Sequence, residues 1–109
     1  MHVHEKIRQY ITEIVQATRE HQDLALGGSP RASIALFRTA QAVAAVRGRN
    51  FVEPDDVKQV VSPVLVHRLI LKLESRLQNV SVDEILTDIM DKTPVPLLEA
   101  RGATGQAKG

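Results

Sequence analysis

The chain has 109 residues, a formal net charge of +1, and apolar and charged shares of 43% and 25%. That length fits one domain with a modest core, and the near-neutral charge gives no general drive toward nucleic acid or an anionic membrane. Cysteine is absent, which excludes a disulfide scaffold, thiol chemistry and thiolate metal sites. No apolar run approaches membrane-spanning length, and Met1-His2-Val3-His4-Glu5-Lys6 lacks the apolar centre of a secretory signal, so a cytoplasmic location is expected.

Residues 4–22 place Ile7, Tyr10, Ile11, Ile14, Val15 and Thr18 on one face and Arg8, Gln9, Glu13, Gln16 and Arg19 on the other, which predicts an amphipathic helix. A loop follows through Asp23 to Gly28. A second helix is expected from Pro30 to Arg47, carrying Ile34, Ala35, Phe37, Ala40, Ala42, Val43, Ala44 and Val46. So broad and alanine-rich an apolar surface predicts a central helix packed on several sides, stopped by Gly48. Glu53-Pro54-Asp55-Asp56-Val57 starts a third, short helix with Val57, Val60 and Val61 inward, interrupted at Ser62-Pro63. Val64 to Leu73 is mostly apolar, interrupted by His67-Arg68, and its periodicity leaves helix and extended chain both open. Ser81-Val82-Asp83-Glu84 is a capping box ahead of Val82, Ile85, Leu86, Ile89 and Met90. No stretch shows convincing strand alternation. The expected fold is all-α, a small bundle of four to five helices over residues 1–93, followed by a flexible tail over 94–109.

The chemistry concentrates at Gly27-Gly28-Ser29-Pro30-Arg31. Ser29 reads as an N-cap and Pro30 as the first helical residue, so Arg31 falls in the opening turn, where unpaired N–H groups already carry partial positive charge. A cation there opposes the helix dipole, typically at a cost of about 0.3–1 kcal/mol. An anion resolves the conflict, since a helix start behind a glycine pair, joined by an arginine fork, makes a phosphate receptor. Alternatively, Arg31 bends back to solvent or pairs with a local carboxylate.

Other candidates carry less. No phosphate-binding loop of the GxxxxGK[ST] type, HExxH, GxSxG or GxGxxG pattern occurs. His2, His4 and Glu5 read as a solvent-facing terminal cluster rather than a metal site, and Asp55-Asp56 as helix capping. His67-Arg68, polar inside an apolar run, is either an interdomain contact or the solvated face of an amphipathic helix. No metal site and no self-contained catalytic set is expected.

The run Leu26 to Ala32, the alanine-rich helix ending Val46-Arg47-Gly48-Arg49, then Phe51-Val52-Glu53-Pro54-Asp55-Asp56-Val57 and Val64-Leu65-Val66-His67-Arg68 resemble the C-terminal lid domain of MoxR-type AAA+ ATPases. Ala17-Thr18-Arg19 to Leu24 matches the same pattern, so the resemblance spans Ile7 to Met90. One departure is Gly28, where members usually have a small residue such as alanine. The resemblance implies that Arg31 is the sensor 2 arginine, reaching the terminal phosphates of ATP bound with Mg²⁺ in an adjoining α/β core, with Gly27, Gly28, Ser29 and Pro30 supporting it. It also implies a chaperone-like, metal-insertion or complex-remodelling ATPase that assembles as a ring, usually a hexamer, acting on a client the sequence does not name. On this reading the chain is an excised lid with Met1 an introduced start. It is no enzyme alone, binds no nucleotide appreciably in isolation, and partners with the core of its own polypeptide and with neighbouring subunits. The alternative is a histone-fold-like module binding DNA or protein. Its phosphate stripe would have to come from Arg31, Arg38, Arg47, Arg49, Arg68, Lys72 and Arg76, and the interleaved acids argue against it.

Overall fold

In the computed structural model, which describes residues 3–97, the elements follow one another as α1 (Glu5–Glu20), β1 (Leu24–Leu26), α2 (Pro30–Val46), α3 (Pro54–Leu65), a 3₁₀ turn (Val66–Arg68), β2 (Ile70–Leu71), α4 (Leu73–Leu77) and α5 (Val82–Lys92). The small helical bundle matches the periodicity of the sequence. Helix α1 buries the six residues its pattern marks: Ile7, Tyr10, Ile11, Ile14, Val15 and Thr18. Its start is fixed by His4, whose Nδ1 accepts the Lys6 N–H at 3.0 Å. That histidine therefore caps a helix, and no group of three potential metal ligands occurs among the described residues.

Helix α2 corrects the expectation of a broadly packed central helix. It buries Ala32, Leu36, Ala40 and Ala44, one residue per turn, while Ile34 is 52% and Val46 89% exposed. The alanines act by smallness: they let α1 and α3 approach along one narrow stripe. The Arg8 guanidinium lies 4.7 Å from the centre of the Phe37 ring, joining α1 to α2 at the edge of that stripe. The helix stops at Gly48, which takes φ +80°. Gly48 N–H donates to Ala45 and Arg49 N–H to Ala44, the paired bonds of a left-handed C-terminal stop.

Further expectations are revised downstream. Helix α3 is not interrupted at Ser62-Pro63 but runs through Pro63 to Leu65. The proline removes a single donor close to the helix end, and the fully buried Leu65 holds the last turn by packing. The undecided stretch 64–73 resolves into the end of α3, the 3₁₀ turn and β2. Strand β2 pairs antiparallel with β1, Leu71 opposite Leu24 and Ile70 opposite Leu26. This ribbon, unforeseen in the sequence, is too short to show alternation. Helix α4, five residues long, was equally unmarked; Ser75 Oγ ties it to Asp23 Oδ1 at 2.7 Å. The capping box before α5 forms as read, with Glu84 N–H donating to Ser81 Oγ at 3.1 Å and Ser81 N–H to Glu84 Oε1 at 3.0 Å. Ile85, Leu86 and Ile89 then close the core. Residues 98–109, most of the expected tail, lie outside the described residues.

Two measurements test this core. Leu36→Ala should lower unfolding free energy by about 2–5 kcal/mol, whereas Val46→Ala should stay within about 0.5 kcal/mol; equal losses in a denaturant titration would refute the narrow stripe. The Tyr10 hydroxyl is buried without a partner among the described residues, and burial raises its pKa above the ordinary 10.0. A raised folded-state pKa means stability that is fully present below about pH 10 and lost as the pH rises past it. Tyr10→Phe should therefore be neutral or stabilising at pH 7 and should shift alkaline unfolding to higher pH.

Candidate functional site

The start of α2 is anchored to the end of α1 through a single residue, Gly28. Thr18 is buried on the apolar face of α1. Its hydroxyl donates to the Val15 carbonyl at 2.6 Å and accepts the Gly28 N–H at 2.8 Å. From the next residue, Arg19 Nε donates to the Gly28 carbonyl at 2.6 Å. Both backbone groups of Gly28 are thus held by consecutive residues of α1. The neighbouring Gly27 sits so close to that helix that a Cβ would lie 2.5 Å from Arg19 Cα and 2.7 Å from the Thr18 carbonyl oxygen. At Gly28 a Cβ would meet Val15 Cγ1 at 3.1 Å, Thr18 Oγ1 at 3.2 Å and Ala32 Cβ at 3.3 Å, tight but side-chain contacts only. The two glycines therefore differ: backbone proximity demands the first, and the second leaves room that a small adjustment extends to alanine.

Pro30 opens α2 as expected, and Arg31 follows it on the exposed side. Ser29 occupies the N-cap position, yet its side chain makes no capping bond, and the first turn holds no acidic residue. Arg31 makes no hydrogen bond or ion pair among the described residues, so the local-carboxylate alternative for it has no support there. Pro30 has no N–H, and the Ala32 N–H donates to the Ser29 carbonyl at 2.9 Å. The turn thus keeps part of its positive charge and adds the Arg31 guanidinium, with no side-chain acceptor among the described residues to offset them.

Among the described residues Arg38 and Arg76 likewise have no side-chain partner, but Arg47 and Arg49 contrast with this. At the corner between α2 and α3, Asp56 is wholly buried. It accepts Arg49 Nη2 through a short contact, Arg47 Nη1 at 3.3 Å, and the Glu53 N–H at 2.8 Å. Arg47 also reaches Asp55 at 3.4 Å, and Arg49 lies 3.4 Å from Glu53. The bond to Asp56 raises the Arg49 pKa further. Cations gather at the negative end of α2 and carboxylates at the positive end of α3, so each dipole is compensated. Asp55-Asp56 is indeed capping, and it also fixes the corner, which the sequence reading missed. Arg47 and Arg49 are consequently not free to build a phosphate stripe. His67 and Arg68 are exposed in the 3₁₀ turn, where Arg68 Nε donates to the Val64 carbonyl at 3.1 Å; they lie apart in sequence from the α2 start, and no described contact joins the two. No described helix is long and apolar enough to cross a membrane.

An all-α bundle with this glycine-hinged helix start defines a class, and comparison with known proteins agrees: residues 16–89 match the AAA lid domain family. The chain belongs to that family. More narrowly, it is a lid of the MoxR type. It is 33% identical to the chaperone MoxR1 of Mycobacterium tuberculosis, over 90% of this chain and 28% of that protein. It is 41% identical to YeaC of Bacillus subtilis, a protein of uncharacterised function, over 85% of this chain and 29% of that one. A solved structure of a candidate ATPase from Cytophaga hutchinsonii superposes with a TM-score of 0.83 at 34% identity, covering 87% of this chain and 32% of that one. The chain therefore spans less than a third of the length of the relatives it matches. The AAA lid family replaces the histone-fold-like alternative.

The two glycines give a direct test. Gly27→Ala should destabilise the chain by about 1–3 kcal/mol because backbone must move, while Gly28→Ala should change stability by less than about 1 kcal/mol. Thermal unfolding of both variants checks this, and equal losses would contradict the geometry.

Proposed function

We propose that Arg31 acts as the sensor 2 arginine of a MoxR-type AAA+ ATPase, donating to the terminal phosphates of ATP held by a core domain of the same polypeptide. The single observation that carries the reading is an exposed arginine, without a partner among the described residues, in the uncapped, acid-free first turn of α2. Those groups fit a phosphate: the positive end of a helix, a planar five-donor cation, and no acidic residue in the turn. When bound, ATP supplies the phosphoryl group that is transferred to water. Arg31 adds no covalent chemistry; it offsets charge on the phosphate oxygens, and the rigid start of α2 fixes where its fork points. On this reading the ligands of Mg²⁺ belong to the core.

The lid would supply the moving wall of the nucleotide site, closing over ATP and opening after hydrolysis. His67 and Arg68, in the segment that also exposes Ile70, Leu73 and Leu77, form part of the surface that meets a neighbouring domain or subunit of a ring. A chaperone-like, metal-insertion or complex-remodelling role for the whole ATPase, in the cytoplasm and on a client still to be identified, completes the proposal. Its chaperone element draws on the name of the Mycobacterium tuberculosis relative.

In the ATPase carrying this lid, Arg31→Ala should lower kcat/KM for ATP by about 10- to 100-fold, the worth of a charged hydrogen bond. The same change should leave the bundle folded and slightly more stable, by about 0.3–1 kcal/mol, because it removes a cation from the positive end of α2. Unchanged turnover would sink the sensor role. Unfolding of the variant would make Arg31 structural instead.

A further inference from the structure

We infer that Thr18 and Arg19 are positioning residues for the Arg31–phosphate contact; the inference rests on the sensor reading of Arg31. Only Ser29 and Pro30 separate Gly28 from Arg31, so the orientation of the Gly28 backbone sets the direction in which the first turn of α2 leaves α1. That orientation is held from both sides. Thr18 Oγ1 takes the Gly28 N–H at 2.8 Å, and Arg19 Nε gives a hydrogen bond to its carbonyl at 2.6 Å.

The Thr18 hydroxyl is itself oriented, because its proton is committed to the Val15 carbonyl at 2.6 Å; a lone pair is thereby turned toward Gly28. With Gly27 pressed against the α1 backbone, the loop has little freedom to choose another path. A glycine pair is ordinarily the softest hinge available to a chain. Here the hydrogen bonds remove that softness next to a residue whose task depends on aim, where a misplacement of about 1 Å can cost as much as 100-fold in rate. Arg19 is otherwise peripheral: it is exposed and, among the described residues, makes only one other side-chain contact, a long 3.4 Å one to Gln16. Its strongest interaction is thus with the loop rather than with the core.

Two experiments decide the matter. The first uses this chain and follows amide hydrogen exchange at Gly28. Thr18→Val should speed that exchange at least about tenfold by removing the acceptor, and Thr18→Ser should restore protection. Unaltered exchange in Thr18→Val would overturn the inference. The second uses the full-length ATPase and a double-mutant cycle with MgATP as the probe. Arg19→Gln, which opens no cavity, should lower kcat/KM about five- to tenfold, Arg19→Lys should recover most of it, and Thr18→Val should resemble Arg19→Gln. In an Arg31→Ala background both effects should vanish, because the group being aimed is gone. Persistence of the full effect in that background would overturn the inference while leaving the sensor reading intact. If Arg31→Ala alone has no effect, the sensor reading fails and this inference falls with it. If Thr18→Val does not fold, Arg19→Gln carries the cycle unaided.

Discussion

The structure turns on the backbone of Gly28, bound at its N–H by Thr18 and at its C=O by Arg19. A loop between two helices must satisfy its backbone groups without the help of a ladder. In this chain α1 provides a hydroxyl and a guanidinium from consecutive residues, one buried and one exposed. The arrangement fixes the angle between α1 and α2 at the point where the chain has the least intrinsic stiffness. The stripe Ala32, Leu36, Ala40, Ala44 can then meet α1 and α3 in register, since an error at the start of α2 would propagate along its whole length.

At its other end α2 is managed by charge rather than by close backbone approach. Arg47 and Arg49 cluster where carbonyls accumulate, and Asp55 and Asp56 stand at the start of α3. Asp56 is buried, so its charge is tolerable only because two guanidinium groups and the Glu53 N–H surround it. The two ends of one helix thus follow opposite electrostatic rules. The C-terminal end satisfies the dipole, whereas the N-terminal end violates it. Arginines of similar chemistry have different availability for that reason, and only local structure distinguishes them.

Much of this was legible in the sequence, and the failures have physical causes. The face of α1 could be read because its inward residues are large and its outward ones charged. Alanine misled the reading of α2, being apolar enough to imply burial and small enough to be indifferent to it. Ile34 and Val46 looked like core and are exposed. The ribbon β1–β2 and helix α4 escaped because two-, three- and five-residue elements are defined by partners, with Lys72 N–H bonding Asp23 and Ser75 Oγ bonding its side chain, and period alone carries no such information. Thr18 was placed on the buried face correctly, yet its partner lies ten residues away. A lone hydroxyl on an apolar stripe is the signal that could have pointed to it, because such a group needs a partner. Arg31 was visible from the outset, since a breach of helix electrostatics needs no tertiary context to be recognised.

That breach also explains why the clamp has to be strong. A helix start with no side-chain cap, no acid and an added cation is less stable than an ordinary one. Left to itself, such a turn would fray, and a frayed turn could not hold an arginine in one direction. Natural helices usually meet this difficulty at the turn itself, with Asp or Ser oxygen on the free N–H groups. That remedy would occupy the groups an anion needs. Anchoring the preceding peptide on α1 instead stabilises the turn from behind and leaves the Arg31 side chain unengaged among the described residues. On the proposed sensor reading, Thr18, Arg19 and the glycine pair share one physical purpose with Arg31, although none of them need touch the phosphate.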